Sequence, residues 1–267
     1  MTDKIHVSRL TKQFDVRDTQ NKGAVQQFTA IENMDFTIKE GEFITIVGPS
    51  GCGKSTLLDL LGGLTTASSG RILIDGREIT GPGLDRGIVF QQYALFPWKT
   101  ARGNIEVGLE AKGIPKSQWK KQSNHYLELV GLSKFADRYP HELSGGMKQR
   151  VAIARSLAFN PDVLLMDEPF AALDAQTRES LQTELLRIWE KTKKTIIFIT
   201  HGIDEAVYLG QRVVVLSPNP GRVKKIVDIP LKNRLPDAYI KSNPDFVKAR
   251  REVWSLLHEL EYQGAYI

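Results

Sequence analysis

Apolar residues recur at two spacings along the chain, and these spacings predict alternating strands and helices. Three apolar runs have the length and β-branched content of strands buried on both faces: Phe43 to Gly48, Asp162 to Glu168 and Thr195 to His201. Helical spacing follows each of them and is longest over Thr177 to Glu190. Strands that alternate with helices predict an α/β fold whose mostly parallel sheet is covered on both faces.

The regions around this core show weaker patterns. Short β-like stretches at Ile5 to Leu10 and Phe36 to Ile38 flank a polar segment, Asp15 to Gln27, which predicts an extended hairpin tip. Ile88 to Gln91 predicts another short strand, and Trp119 to Leu132 predicts a helix in a mid-chain helical region.

A polar, proline-bounded linker after Pro230 leads to a last helical pattern over Pro244 to Leu260. Its apolar residues share one face, which predicts a terminal docking helix. These residues are Phe246, Val253, Leu256, Leu257 and Leu260.

Composition excludes several classes of protein. Apolar residues make up 41% and charged residues 25% of the chain, as in soluble globular proteins. No run approaches the roughly 18 to 20 apolar residues of a membrane helix, and the start has no secretory signal pattern, so we expect a cytosolic chain. The net charge of +5 is spread along the sequence, so we expect a solvated surface and no nucleic-acid partner. The single cysteine, Cys52, excludes an internal disulfide. Because Lys54 is close in sequence, we expect Cys52 to be a somewhat reactive thiol; the alternative is an inert thiol turned into the core.

The strongest chemical signal is GPSGCGKST, which lies between a predicted strand and a predicted helix. It fits the phosphate-binding loop G-x-x-x-x-G-K-[ST], in which backbone N–H groups surround phosphate oxygens. Lys54 is expected to reach the β and γ phosphates of ATP, and Ser55 to offer its hydroxyl to Mg²⁺. The alternative is a glycine-rich turn. The predicted nucleotide-binding residues are Gly48, Pro49, Ser50, Gly51, Cys52, Gly53, Lys54, Ser55 and Thr56.

Two carboxylates, Asp167 and Glu168, end the second apolar run. A parallel strand would deliver both to the sheet edge that holds the phosphate loop. We expect Asp167 to hold Mg²⁺ through water, and Glu168, next along the strand, to polarise the attacking water. The alternative is a solvated turn before Pro169.

The stretch LSGGMKQR, Leu143 to Arg150, precedes these acids and resembles the signature motif of the ABC ATPase family. The resemblance covers residues from about 5 to 217. It implies that Phe14 stacks on adenine and that Gln91 is the Q-loop glutamine and a Mg²⁺ ligand. It also places Asp174 in the D-loop and makes His201 the switch histidine. Phe14 could instead pack in the sheet, and His201 could be a strand-end histidine. Gly202 replaces the acid that most often follows the switch histidine in the family.

Membership of this family implies a P-loop NTPase core with an N-terminal antiparallel β subdomain and a helical subdomain. The ATPase domain would span residues 1–230, with helices at about 92–160, and residues 231–267 would form the linker and docking helix. The family also implies a head-to-tail dimer with a second ATPase subunit, the same chain or a relative. There the helix after Ser144 would direct Ser144, Gly145 and Gly146 at the γ-phosphate held by the partner.

Three segments resemble the import branch that handles nitrate, sulfonate, taurine or bicarbonate: Tyr93 to Trp98, Leu143 to Arg150 and Gly202 to Val223. That resemblance implies transmembrane permease subunits as partners, a substrate-binding protein as an indirect one, and a place on the cytoplasmic face of the membrane. Trp98 would receive a short helix of the permease. The alternative function is a soluble ABC-type ATPase of DNA repair or translation; a phosphate-loop kinase or switch lacks the signature motif.

Overall fold

The computed structural model describes residues 2–17, 25–231, 234 and 239–264, and the chain forms two compact units. The first unit combines Met1–Pro82 with Phe198–Ile267, and the second is Gly83–Ile197. The strands and helices in chain order are β1 (Asp3–Arg17), β2 (Val25–Lys39), β3 (Phe43–Val47), α1 (Lys54–Gly62), β4 (Ser69–Ile74), β5 (Arg77–Glu78), β6 (Arg86–Val89), α2 (Ala101–Ala111), α3 (Lys116–Leu129), α4 (Gly145–Ala158), β7 (Val163–Asp167), α5 (Ala175–Thr192), β8 (Thr195–Ile199), α6 (Ile203–Leu209), β9 (Arg212–Leu216), β10 (Val223–Asp228) and α7 (Pro244–Gly264).

An antiparallel sheet in the order β2-β1-β4-β5 forms one layer of the first unit. Its strands β1 and β2 are much longer than the two short stretches that the sequence predicts, because the polar segment between those stretches also pairs: Asp15 lies opposite Gln27. Cross-strand hydrogen bonds satisfy the backbone of a two-stranded ribbon, so these residues need no apolar face to form a strand. The predicted tip, residues 18–24, lies outside the described residues.

A second layer of the first unit contains β3 and its neighbours. Strand β3 is buried along its whole length and pairs in parallel with β9, where Val47 lies opposite Val215. On its other side it adjoins the end of β8, and β10 joins β9 antiparallel. Helix α7 packs on α6, β9 and β10 through the buried side chains of Phe246 and Val253. The side chain of Leu260 lies outside those described.

The second unit holds the mid-chain helices and two more parallel strands. Strands β6 and β7 pair in parallel, with Gly87 opposite Leu164, and the start of β8 adjoins β7. Helix α2, which the sequence pattern misses, packs closely on α4: a Cβ at Gly108 would lie only 2.6 Å from the Arg155 carbonyl oxygen. The side-chain hydroxyl of Thr100 begins α2 by accepting a hydrogen bond from Gly103 N–H at 3.1 Å.

The parallel pairs, the antiparallel N-terminal sheet and the helices confirm the predicted fold class. The predicted helices are present as α1, α3, α5, α6 and α7, and the three predicted buried strands as β3, β7 and β8. Strands β6, β7 and β8 end one or two residues earlier than predicted, so Gln91, Glu168 and His201 lie in the turns that follow them. Among the residues that the structure describes, no helix is long and apolar enough to cross a membrane.

Candidate functional site

The loop between β3 and α1 is shaped by glycines. Gly51 and Gly53 have φ of +77° and +87°, in the left-handed region that side chains with a Cβ disfavour. At Gly53 space is also lacking, since a Cβ there would lie 2.8 Å from the carbonyl oxygen of Ala30 on β2. The loop therefore keeps this path only with glycine at these positions.

The start of α1 presents positive charge to the loop. The N–H of Leu57 makes the first intrahelical bond, to the Gly53 carbonyl at 2.8 Å, so the N–H groups of the three preceding residues have no partner within the helix. Lys54 is only 6% exposed, and its ammonium donates to the carbonyls of Gly48 and Pro49 at 2.8 and 3.0 Å. A helix N-terminus with an adjacent ammonium is suited to bind phosphate.

Cys52 is part of this loop, but its side chain lies in the core, which corrects the expectation of a reactive thiol. A thiol inside a cationic loop is expected to be a reactive thiolate. In the structure its side chain is completely buried, and burial raises the pKa of the thiol, which Lys54 at 3.9 Å only partly offsets. Cys52 is therefore a packed, protonated thiol; its backbone belongs to the loop, while its side chain packs against Gly48.

Maleimide should label Cys52 in the folded chain at least about tenfold more slowly than in the chain unfolded in urea, because only an exposed thiolate reacts. The raised pKa also means that labelling of the folded chain should accelerate as the pH rises above neutrality. The rates can be measured by mass spectrometry. Equal rates in the folded and unfolded chains would contradict the buried position.

Phe14 lies on the exposed part of the β1–β2 ribbon in the same unit. It faces Phe28 directly across the strands, and the two rings are 39% and 45% exposed. The ammonium of Lys12 lies 4.8 Å from the centre of the Phe14 ring. Phe14 is thus not packed inside the sheet, which leaves an aromatic face available for stacking. Sequence reasoning missed Phe28, because its place opposite Phe14 depends on the pairing register of β1 and β2.

His201 is exposed in the turn between β8 and α6, also in the first unit. The glycine that follows it begins α6, and its N–H donates to the Thr200 hydroxyl oxygen at 2.9 Å. The Thr200 hydroxyl in turn donates to Glu205. A Cβ at Gly202 would lie 3.3 Å from the Cβ of Glu205, so a larger residue there would require a small shift of Glu205.

The remaining predicted residues belong to the second unit. Gln91 is exposed in the turn after β6. Asp167 ends β7, and partly buried Glu168 follows it with a φ of +44°, in a turn closed by the Ala171 N–H on the Glu168 carbonyl at 3.1 Å. The expectation that Glu168 continues the strand is therefore wrong, because the chain reverses there.

Asp174 caps helix α5. Its carboxylate accepts a hydrogen bond from Thr177 N–H at 2.9 Å, and this bond lowers the pKa of the carboxyl group. Arg178 donates to the carbonyls of Phe170 and Leu173 at 3.3 and 2.8 Å, which fixes the chain between Glu168 and Asp174. Sequence reasoning missed Arg178, whose role depends on this turn.

The signature segment begins helix α4. Exposed Ser144 is its N-cap, and the hydroxyl oxygen accepts a hydrogen bond from Met147 N–H at 3.3 Å. A Cβ at Gly146 would lie 2.7 Å from the Thr177 side chain, and one at Gly145 would lie 3.2 Å from the Tyr93 hydroxyl. The glycines thus let the start of α4 lie against the cap of α5, where the first N–H groups of α4 have no backbone partner within the helix.

The predicted magnesium ligands are Ser55 in the first unit and Gln91 and Asp167 in the second. They offer hydroxyl, amide and carboxylate oxygens, the donors that Mg²⁺ prefers. Within the described parts of the chain, no group of three or more His, Cys, Asp or Glu side chains is placed to hold a metal ion. Each of these side chains is thus a suitable ligand type for a magnesium ion that also takes ligands from phosphate and water.

Two solved structures of the ATP-binding cassette MJ0796 resemble this chain. One, described as a dimeric post-hydrolysis state bound to ADP and Pi, has a TM-score of 0.73 and 33% sequence identity, over 85% of this chain and 100% of that one. The other, a dimeric structure of the same cassette, has a TM-score of 0.73 and 34% identity over the same shares.

Sequence relatives agree with this likeness. An uncharacterised ABC transporter ATP-binding protein, MJ0412 of Methanocaldococcus jannaschii, is 50% identical over 97% of this chain and 93% of its own length. The nitrate import ATP-binding protein NrtD of Synechocystis is 51% identical, over 87% of this chain and 89% of NrtD. The taurine import ATP-binding protein TauB of Rhizobium johnstonii is 48% identical, over 87% and 90%.

The family model for ABC transporters matches residues 31–171, more than half of the chain. That range includes the phosphate loop, the signature segment and the two carboxylates after the buried strand. The chain belongs to the ABC transporter family, as one of its ATP-binding proteins.

Proposed function

We propose that this chain hydrolyses MgATP to energise an ABC importer for a small anion. The observation that carries the proposal is the loop before α1, which combines two left-handed glycines, a buried lysine and a helix N-terminus, the features of a phosphate-binding loop. The likeness to ATP-binding import proteins supports the same activity.

In this function Lys54 and the N–H groups at the start of α1 bind the phosphates, and the exposed Phe14 ring stacks on adenine. Ser55, Gln91 and Asp167 would hold Mg²⁺, which neutralises charge that develops on the transferred phosphoryl group. Glu168 orients and deprotonates the attacking water.

His201 would assist this reaction by donating a hydrogen bond to the γ-phosphate. Its exposed position at the end of β8 leaves the imidazole accessible to a ligand. We assign the general-base role to Glu168 and a positioning role to His201.

The second part of the proposal is a head-to-tail dimer. Ser144 caps α4 at an exposed position, and the N–H groups at the start of this helix can bind a phosphate held by a partner's loop. The MJ0796 cassette is dimeric in the structure that contains ADP and Pi, which supports this arrangement. Because the γ-phosphate would contact both subunits, ATP would favour the closed dimer and hydrolysis would release it.

The third part concerns the solute and the location. Relatives import nitrate and taurine, so we assign the transported solute to small anions of that kind. The solute would pass through permease subunits, delivered by a substrate-binding protein. The chain would lie on the cytoplasmic face of the membrane, attached through the permease.

The loop from Tyr93 to Lys99 provides the surface for the permease. Asn104 is fully buried and fixes this loop, donating to the carbonyls of Phe96 and Lys99 at 3.2 and 3.1 Å and accepting from Phe96 N–H at 2.8 Å. Arg155 also donates to carbonyls of the loop. This rigid loop holds Trp98 71% exposed, against the ring of Phe96. An exposed aromatic on a fixed loop is suited to anchor a partner helix.

Trp98→Ala should weaken assembly with the permease subunits by about thirtyfold, since an aromatic anchor can contribute about 2 kcal/mol to a small interface. Nucleotide affinity and melting temperature should not change, because the side chain is mostly exposed. Pull-down of the co-expressed membrane subunits with the tagged chain measures the effect.

Trp254→Ala is the matched control, because it removes an exposed tryptophan from α7. Assembly that is undiminished in Trp98→Ala would contradict the docking surface. If the wild-type chain hydrolyses ATP but no multispan membrane protein co-purifies with it, the soluble ABC-type ATPase would replace the importer.

A further inference from the structure

The turn between β9 and β10 packs against the back of the phosphate loop. Gly221 in this turn is buried, and a Cβ there would lie 2.0 Å from the carbonyl oxygen of Cys52 and 3.0 Å from its carbonyl carbon. Both atoms belong to the backbone, so no side-chain rotation could relieve the overlap. Position 221 therefore requires glycine as long as the loop and the turn keep their places.

Hydrogen bonds hold Gly221 in place from both sides. Its N–H donates to the Ala30 carbonyl at 3.0 Å, and its carbonyl accepts from Glu32 N–H at 2.9 Å. The next residue, Arg222, pairs through its guanidinium with the Glu32 carboxylate. The turn is closed by Ser217, whose N–H donates to the Arg222 carbonyl at 2.9 Å. Strand β2 thus fixes the position from which Gly221 contacts the loop.

The Ala30 carbonyl of β2 also limits the Cys52–Gly53 peptide, on the side of Gly53. The Ala30 oxygen that accepts from Gly221 lies within 2.8 Å of where a Cβ of Gly53 would be. The Cys52–Gly53 peptide is therefore confined by Gly221 at its carbonyl and by Ala30 next to Gly53. In a planar trans peptide the N–H points away from the carbonyl, so contact at the Cys52 oxygen sets the direction of the Gly53 N–H, away from the turn.

We propose that Gly221 is a positioning residue for the phosphate loop, acting through the plane of the Cys52–Gly53 peptide. The inference rests on the proposed function, in which this loop binds the phosphates of ATP. Gly221 contacts the loop through the Cys52 carbonyl, and in this way it holds one N–H donor of the loop in the direction that the phosphate requires.

Gly221→Ala should raise the Kd for ATP by about tenfold or more, the loss that corresponds to one hydrogen bond to a charged group. The added methyl group either rotates the Cys52–Gly53 peptide or displaces the turn from Ala30 and Glu32, and both changes free the peptide. The kcat at saturating ATP should stay within about threefold, since Glu168 and its turn are in the second unit. If Gly221 were only structural, Gly221→Ala would lower the stability of the chain but would not raise the Kd or KM for ATP while kcat stays nearly unchanged.

Titration of the full chain with a fluorescent ATP analogue, together with melting temperature, measures the effect. Gly81→Ala is the matched control, because nothing lies within 4 Å of the Cβ that it adds. Lys54→Ala tests the proposed function separately. If wild type and Lys54→Ala bind the analogue equally, the proposed function fails. If wild type and Gly221→Ala bind equally while Lys54→Ala does not bind, only the role of Gly221 is overturned.

A second variant covers the case in which Gly221→Ala does not fold. Arg222→Gln removes the ion pair with partly exposed Glu32 and leaves the glycine, so it should fold like the wild type but hold the turn less firmly. We expect an increase of about threefold in the Kd for ATP, restored by Arg222→Lys, which keeps the charge. An unchanged Kd in Arg222→Gln would overturn the proposal.

Discussion

Glu168→Gln should slow ATP hydrolysis by about a hundred- to ten-thousand-fold while leaving ATP binding intact, which is the usual contribution of a positioned general base. Glutamine has nearly the same shape as glutamate but cannot accept the proton of the attacking water. The turn after β7 should survive the change, because it is closed by the backbone bond between Ala171 N–H and the Glu168 carbonyl.

Single-turnover hydrolysis and nucleotide titration separate the two effects. A stable ATP-bound dimer of Glu168→Gln should accumulate, visible by size-exclusion chromatography, because hydrolysis no longer removes the γ-phosphate. Glu190→Gln, at an exposed position near the end of α5, is the matched control and should hydrolyse ATP at the wild-type rate. Normal turnover by Glu168→Gln would assign the general base to another residue.

Ser144→Asp should abolish hydrolysis, by about a hundredfold or more, without weakening the binding of ATP to the monomer. Asp is as good an N-cap as Ser, so α4 should keep the bond to Met147 N–H and its stability. The added negative charge, however, would repel the γ-phosphate that the partner subunit presents to this helix. The phosphate loop of the same chain lies in the other unit and is unchanged.

Ser144→Asn separates charge from capping, since it retains a capping side chain without the negative charge. We expect it to keep substantially more activity than Ser144→Asp. Mixing Ser144→Asp with Lys54→Ala should restore at most one working site in each mixed dimer, which rate measurements at varied ratios would detect. Weaker binding of ATP to the isolated Ser144→Asp monomer would instead place this residue in the monomer's own site.

The phosphate loop illustrates what can be predicted without a structure. Its residues are consecutive and lie between a strand and a helix, both of which the structure confirms as β3 and α1. Left-handed turns at Gly51 and Gly53 and the charge at the start of α1 follow from local backbone chemistry. The order of the other motifs was enough to indicate the family, which the comparisons confirm. The individual roles of Gln91, Asp167, Glu168 and His201 stay predictions.

Local patterns failed where a residue's environment comes from distant parts of the chain. Cys52 belongs to a cationic loop by its neighbours, yet its side chain lies in the core, where desolvation outweighs the charge of Lys54. The polar part of the β1–β2 ribbon forms a strand because its partner strand satisfies the backbone. The exposure of Trp98 agrees with its predicted role, but the bonds from Asn104 and Arg155 that fix its loop are visible only in the structure.

Residue types and spacing alone therefore determined the family, the fold class and the phosphate-binding chemistry, since each depends on neighbouring residues or on the order of short motifs. The tertiary structure alone decided which side chains are accessible and which backbone groups are held in place. Gly221 shows the difference most clearly. Its requirement for glycine arises from the Cys52 carbonyl, which lies far away in sequence, and close packing in the folded chain brings the two together.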